Sequence, residues 1–129
     1  MTETVHPTGE LTLRTLAMPA DANPAGDIFG GWVMSQMDLA AGIRAGERAR
    51  CRVVTAAVKE MTFEKPVKVG DTLSVYTDIT RTGRTSLTLN VDVWVHRQRF
   101  GGLERVTGAT FIMVAMDDNR QPAAIPPEG

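Results

Sequence analysis

Residues 23–43, NPAGDIFGGWVMSQMDLAAGI, decide the fold, because they lead from a loop of glycines and prolines into an apolar run of helical length. We predict a helix from residue 32 to about residue 45, after an irregular loop. Alternating and β-branched residues predict one strand before this stretch and four after it: 10–18, 52–63, 71–80, 85–96 and 106–116. The connections between the last four are short and contain glycine or proline, which is typical of antiparallel hairpins.

The predicted order is therefore β-α-β-β-β-β, an α+β fold. A single helix cannot cover both faces of a five-stranded antiparallel sheet, so we expect a curved sheet that wraps around one long central helix. The outer face and the edges of such a sheet stay uncovered. We therefore expect the chain to associate with further copies of itself.

Length and composition define the class of protein. The 129 residues predict a single domain over 1–129, with loosely ordered ends at 1–9 and 118–129. A net charge of -1 argues against a nucleic-acid or membrane partner, and no apolar run reaches the roughly 20 residues of a membrane span. The chain has one cysteine, Cys51, so an internal disulfide is excluded and we expect a cytoplasmic protein.

One carboxylate, Asp38, interrupts the apolar helix. At about 100° per residue it shares a stripe roughly 60° wide with Gly31, Ser35 and Gly42. Small residues on this stripe leave space above the backbone that a ligand can fill. A solvated aspartate explains the same pattern without a site, and the spacing alone leaves both interpretations open.

The helix is preceded by a glycine pair, Gly30 and Gly31. The first N–H groups of a helix lack internal partners and carry partial positive charge. Without side chains, the glycines let an oxygen approach these groups, as an oxyanion hole requires. Gly30 precedes Asp38 by two turns, about 12 Å along the axis, a distance that a substrate lying along the stripe would span. A tight turn is the alternative for the pair, and on the same basis Asn23 is a turn residue.

Several catalytic signatures are absent from the sequence. The absence of G-x-S-x-G, Walker and G-x-G-x-x-G motifs argues against α/β-hydrolase, P-loop and Rossmann chemistry. His6 and His96 stand apart from cysteines and carboxylates, so we predict no metal site. Four arginines near the hairpin at 81–86 and the end of the next strand are either solubilising charge or a local anion site: Arg81, Arg84, Arg97 and Arg99.

Three blocks of the chain closely resemble YciA-type acyl-CoA thioesterases, a branch of the hotdog-fold family. They are LRTLAMPADANPAGDIFGGWVMSQMD (13–38), RVVTAAVKEMTFEKPVKVGD (52–71) and GRTSLTLNVDVWV (83–95). The resemblance extends from about residue 11 to residue 126. In the hotdog fold an antiparallel sheet surrounds one long helix, which agrees with the predicted order of elements.

The resemblance implies an acyl-CoA thioesterase whose active site forms between two subunits. Asp38 then acts on water or directly on the thioester carbon. Gly30, with Gly31 beside it, matches the helix N-terminal glycine that polarises the thioester carbonyl. Asn23 matches an asparagine near the reacting centre, and Thr55 matches a strand position that lines the site from the partner subunit.

The resemblance also implies where coenzyme A binds and how the chain assembles. Gly83, Thr85 and Ser86 match a hairpin that resembles a coenzyme A-contacting segment, in which Arg84 departs from the smaller residue expected. Phe29 stands where related hotdog subfamilies often have histidine, which favours the YciA-type branch. Family members commonly form hexamers as trimers of dimers. No metal or redox cofactor is expected, because a water, a base and an oxyanion hole suffice for a good leaving group.

We therefore predict hydrolysis of acyl-CoA to a free acid and coenzyme A, with the acyl chain length left open. One alternative is a hotdog-fold hydratase or dehydratase acting on enoyl thioesters, which typically needs a histidine–carboxylate pair. The other is a non-catalytic acyl-CoA binding or sensing protein. Such a protein keeps phosphate-contacting arginines but has no need for a carboxylate near the helix start.

Overall fold

The computed structural model describes residues 6–97 and 102–128. Over these residues the chain forms a long helix, a short 3-10 turn and five strands: β1 (Glu10–Leu16), the turn (Pro19–Asp21), α1 (Gly30–Ala49), β2 (Arg52–Phe63), β3 (Thr72–Thr82), β4 (Ser86–His96) and β5 (Leu103–Met116). The strands form a single antiparallel sheet in the order β1-β3-β4-β5-β2. The predicted α+β architecture is confirmed.

The long helix packs across the sheet and contacts all five strands. Its buried face is mostly alanine, which lets the helix approach the sheet closely: Val33, Met37, Ala40, Ala41, Ala45 and Ala49. Alternate residues of the central strands join the same core, among them Leu89, Val91 and Phe111. Removal of this apolar surface from water is the main contribution that stabilises the fold. The helix face that carries Asp38 points away from this core and is exposed.

The helix α1 extends past its predicted end near residue 45. A glycine inside a helix costs about 1 kcal/mol relative to alanine, which made Gly46 the predicted boundary. In the structure Ala45 and Ala49 are both buried against the sheet, and this burial outweighs the cost of the glycine. The helix ends at Ala49, and the next residue, Arg50, has a left-handed φ of 58°.

Over residues 118–128, the structure corrects the expectation of a loosely ordered end at 118–129. The Asp117 N–H donates to the Gln121 carbonyl at 2.8 Å, and the Ala123 N–H donates to the Ala115 carbonyl at 2.8 Å. Ala123 and Ile125 pack against the core, which explains why this proline-rich segment is ordered. Of the other expected loose end, the structure describes residues 6–9, which belong to no strand.

Candidate active site

Asp38 lies on the exposed side of α1, beside Thr55 of β2. Thr55 Oγ1 donates a hydrogen bond to Asp38 Oδ1 within the same chain. Asp38 Oδ2 makes no hydrogen bond with the part of the chain that the structure describes. One oxygen of the carboxylate is therefore held in place while the other is free to accept a proton.

This contact lies within one chain, and the expectation that Thr55 lines the site from the partner subunit stays a prediction. β2 begins only three residues after the end of α1 and runs back along it. A strand advances about 3.3 Å per residue and a helix only about 1.5 Å, so about five extended residues cover the roughly 16 Å rise of α1 between Asp38 and its end at Ala49. Thr55 therefore reaches the level of Asp38 within one chain.

The start of α1 presents two open hydrogen-bond donors. The N–H groups of Trp32 and Val33 donate to the Phe29 carbonyl at 3.1 and 3.3 Å. Those of Gly30 and Gly31 make no hydrogen bond to any residue within 6–97 and 102–128. A Cβ built on Gly31 would meet nothing within 4 Å, so the space above this glycine is open. This helix end can stabilise negative charge on an approaching oxygen.

A cavity of about 320 Å³ adjoins Gly30 at the same end of the helix. Its lining is mostly apolar and includes residues before α1, on α1, at the end of β2 and in the connection from β2 to β3: Ile28, Val33, Phe63, Pro66 and Val67. Phe63 is 46% exposed and was not among the predicted site residues. The signal that could have revealed it is its place in the M-T-F block of the family resemblance.

Asn23 shapes the loop that leads into α1. Its side-chain oxygen accepts hydrogen bonds from the N–H groups of Ala25 at 3.0 Å and Asp27 at 3.1 Å. Its carbonyl accepts a further bond from the Gly26 N–H at 3.0 Å. These contacts support the interpretation of Asn23 as a turn residue. Its side-chain amide nitrogen donates to none of the residues that the structure describes, so this donor is available to a ligand.

Of the four predicted coenzyme A-contacting residues, Gly83, Arg84 and Thr85 form the tight connection between β3 and β4, and Ser86 begins β4. The Gly83 N–H donates to the Ser86 carbonyl at 2.7 Å, which closes the turn. A Cβ on Gly83 would lie 3.1 Å from Ser86 Oγ, so a side chain there would crowd the turn. Thr85 is half-buried, whereas Arg84 is exposed. The Arg84 guanidinium forms no ion pair with residues 6–97 or 102–128.

Comparison with known proteins relates this geometry to a family. Residues 25–100 match the family model described as the thioesterase superfamily. The chain is 49% identical over 126 residues to the acyl-CoA thioester hydrolase YciA of Salmonella typhimurium, an alignment that covers 95% of each protein. This chain belongs to the thioesterase superfamily.

Solved thioesterases share the fold over nearly the whole chain. A hexameric thioesterase from Yersinia pestis superposes with a TM-score of 0.91 at 52% identity, covering 95% of this chain and 100% of that one. A hexameric broad-specificity acyl-coenzyme A thioesterase gives a TM-score of 0.91 at 47% identity, covering 97% of this chain and 86% of that one. The predicted hotdog fold and the relation to the YciA type are thereby confirmed.

Arg97 of this thioesterase has a structural role that the sequence left open. Its guanidinium donates to the carboxylates of Asp71 and Glu104 and to the carbonyl of Pro66, which belongs to the wall of the cavity near Gly30. The hydrogen bond from Arg97 lowers the pKa of Glu104 below its usual value. Arg97 is thus committed to internal pairs rather than to an anion site, and Arg99 lies outside the residues that the structure describes.

Within 6–97 and 102–128, no helix has the length and apolarity needed to cross a bilayer. Over these two ranges, histidine, cysteine, aspartate and glutamate side chains form no group of three or more that could hold a metal ion.

Proposed function

We propose that this thioesterase hydrolyses acyl-CoA thioesters to a free acid and coenzyme A. The observation that carries the proposal is Asp38, an exposed carboxylate on an open stripe of α1 with one oxygen held by Thr55. Relatives about half identical over almost the whole chain are named acyl-CoA thioester hydrolases, which supports the same reaction here.

In the proposed reaction Asp38 removes a proton from a water molecule, and the water oxygen forms a bond to the thioester carbon. Negative charge moves to the carbonyl oxygen, where helix N–H groups stabilise it. The C–S bond then breaks, and the departing thiolate takes up the proton to give coenzyme A. In the alternative route the Asp38 carboxylate attacks the carbon itself, and water cleaves the resulting anhydride. Neither route requires a metal or redox cofactor.

We propose that the active site forms between copies of the chain. Gly30 and Asp38 lie about 12 Å apart along one helix, too far for a carboxylate to attack a carbonyl carbon whose oxygen contacts Gly30, so we replace the expectation that a substrate spans both groups of a single chain. A second copy that brings its own helix start to Asp38 would close this gap. β2 is an edge strand with exposed Val58 and Phe63, which suits pairing with another copy. The hexameric state of solved relatives supports a trimer of dimers.

The remaining predicted residues have roles in substrate binding under this proposal. The turn of Gly83, Thr85 and Ser86 contacts the coenzyme A moiety, and the exposed Arg84 guanidinium pairs with its phosphates, for which guanidinium geometry is suited. The free amide nitrogen of Asn23 can donate to the substrate near the reacting centre.

Two other functions are compatible with a hotdog fold. A hydratase or dehydratase would need a histidine beside the catalytic carboxylate, yet His96 ends β4 opposite Thr72 and Leu103 and His6 precedes β1. Neither histidine belongs to α1 or to the loop before it. A non-catalytic acyl-CoA binder would use the Arg84 turn but has no use for the carboxylate of Asp38.

Free-thiol release from a panel of acyl-CoA thioesters of increasing chain length tests the proposal. We expect one equivalent of thiol and one of free acid for each thioester consumed, and the ratio kcat/KM across the panel will define the preferred acyl group. Enoyl absorbance is followed in parallel. A change in enoyl absorbance without thiol release would show that the protein is a hydratase or dehydratase instead. Tight binding of an acyl-CoA that stays intact for hours would show that the protein is a non-catalytic binding protein instead.

Thr55→Val is expected to lower kcat about tenfold while leaving KM for acyl-CoA unchanged. Valine has the shape of threonine but cannot donate to Asp38 Oδ1, and a hydrogen bond to a charged group contributes about 1.5–3 kcal/mol. Thr55→Ser retains the hydroxyl and is expected to keep most of the turnover. Equal losses in both variants, or full turnover in Thr55→Val, would contradict a role for the hydroxyl. Steady-state thiol release measures both constants.

We also propose the cytoplasm as the compartment of this protein. Cys51 is a free thiol and half-buried, a state that a reducing compartment preserves. Fractionation of cells that express the tagged chain checks this placement.

A further inference from the structure

The chain after β5 folds back toward the turn that is proposed to contact coenzyme A. We call residues 117–126 the return segment. It begins with a tight turn in which Asp117 Oδ1 accepts hydrogen bonds from the N–H groups of Asn119 at 2.8 Å and Gln121 at 2.9 Å. The Ala123 N–H then donates to the Ala115 carbonyl at 2.8 Å. The return segment therefore runs beside the end of β5.

The return segment holds the backbone of the β3–β4 turn directly. The Ile125 N–H donates to the Arg84 carbonyl at 2.8 Å, while the next carbonyl, of Thr85, accepts a hydrogen bond from the Ala115 N–H at 2.9 Å. Ile125 is half-buried and packs against the core. Two consecutive carbonyls of the turn are thus fixed, one by β5 and the other by the return segment.

A second anchor joins the return segment to α1. Arg48 Nη1, near the end of the helix, donates to the Pro126 carbonyl at 2.6 Å. The same helix carries Asp38 ten residues earlier in the sequence. The helix, the return segment and the β3–β4 turn are therefore connected through hydrogen bonds as one unit.

Arg84 is the exposed cation of this unit. Its backbone is fixed by Ile125, yet its guanidinium has no ion pair with the residues that the structure describes. Ordering a loop when a ligand binds costs free energy, and a loop whose backbone is already fixed avoids part of that cost. A fixed backbone thus favours binding of an anion by Arg84.

We propose that the return segment is a positioning element for the phosphate-bearing end of the substrate. By holding the Arg84 backbone, it directs the guanidinium toward the phosphates of an acyl-CoA. This inference rests on the proposed function, and it assigns a role in substrate affinity to a segment that makes no contact with Asp38 in the structure.

The comparison of Ile125→Pro with Ile125→Ala tests this role. Proline removes the N–H that donates to Arg84, whereas alanine keeps it, and both substitutions lose most of the isoleucine side chain. Residue 125 already precedes Pro126, which restricts it to an extended conformation that proline can adopt. We expect Ile125→Pro to raise KM for acyl-CoA about five- to tenfold relative to Ile125→Ala, with kcat within about twofold.

An acyl-pantetheine with the same acyl group provides the decisive second substrate, because it lacks the phosphates. Its KM should be the same in both Ile125 variants. Ala124→Pro is the control for a proline within the return segment, since no hydrogen bond from the Ala124 N–H is seen over residues 6–97 and 102–128, and its KM for acyl-CoA should lie near that of Ile125→Ala rather than that of Ile125→Pro. If Ile125→Pro fails to fold, Asp117→Ala, which opens the turn, is compared with Asp118→Ala in the same two assays.

Two results would overturn the inference. One is an equal rise in KM for acyl-CoA and acyl-pantetheine, which indicates a general structural effect. The other is an equal KM for acyl-CoA in Ile125→Pro and Ile125→Ala. If Ile125→Pro does not fold, an equal KM in Asp117→Ala and Asp118→Ala has the same consequence. Absence of thiol release in the wild-type protein would instead overturn the proposed function.

Discussion

Replacing Asp38 by asparagine is expected to lower kcat at least about 100-fold with little change in KM, because the general base is lost while the groups that bind the substrate remain. Asparagine has nearly the same shape, and its amide oxygen can still accept the hydrogen bond from Thr55 Oγ1. Asp38 is exposed, so the free energy of unfolding should change little. Thiol release at saturating acyl-CoA measures the loss, and thermal unfolding checks the fold.

Asp118→Asn is the matched control for this substitution. Asp118 is also exposed, and its side chain forms no hydrogen bond or ion pair within residues 6–97 and 102–128, so its variant should keep wild-type turnover. Near-normal turnover in Asp38→Asn would contradict the catalytic role of Asp38. A single turnover in ¹⁸O-labelled water separates the two routes. Label in the Asp38 side chain demonstrates the covalent route, because water has then attacked the aspartyl carbon of the anhydride, whereas the activated-water route places label in the released acid and none in Asp38.

Replacing Gly30 by proline is expected to lower kcat about 100-fold or more, the usual effect of removing one donor from an oxyanion hole. Proline removes the Gly30 N–H but is well accepted at the first position of a helix. Phe29, with φ -58° and ψ 135°, already has the extended conformation that a residue before proline requires. A Cβ at residue 30 would lie 3.6 Å from the Phe63 ring, an ordinary contact. The helix should therefore form while the donor is lost.

Gly30→Ala separates the lost donor from added bulk. Alanine keeps the N–H and adds only the Cβ, so we expect turnover within about tenfold of wild type, well above that of the proline variant. Thiol release measures both variants, and far-ultraviolet circular dichroism confirms the helix in each. Equal turnover in the two variants would show that the Gly30 N–H does not stabilise the thioester oxygen.

Local patterns in the sequence were sufficient for the order of elements and for most of their bounds. The strand predicted at 52–63 is β2 (Arg52–Phe63), and the one predicted at 85–96 differs from β4 by a single residue. Alternation is reliable here because each strand has one face in the core. The helix α1 extends past Gly46. Strand β5 begins at Leu103 instead of residue 106, because the pairing of Leu103 with His96 of β4 extends the strand beyond its apolar pattern.

Such local patterns predicted only part of the candidate site. The stripe of Asp38 and the glycine pair at the helix start follow from helical spacing, and the structure shows both to be exposed. The roles of Asn23, Thr55 and the β3–β4 turn came from resemblance to a family. No spacing rule links Thr55 to Asp38, seventeen residues earlier, because their contact depends on how β2 runs back along α1.

The sequence by itself thus determined the fold class, the single long helix and the position of its carboxylate, since these depend on neighbours within a few residues. Only the tertiary structure showed that Thr55 holds Asp38 within one chain, that Arg97 is occupied by internal ion pairs, and that residues 117–126 return to hold Arg84. The physical reason is the same in each case. These contacts join residues far apart in the chain, and they form only when strand pairing and helix packing bring the segments together.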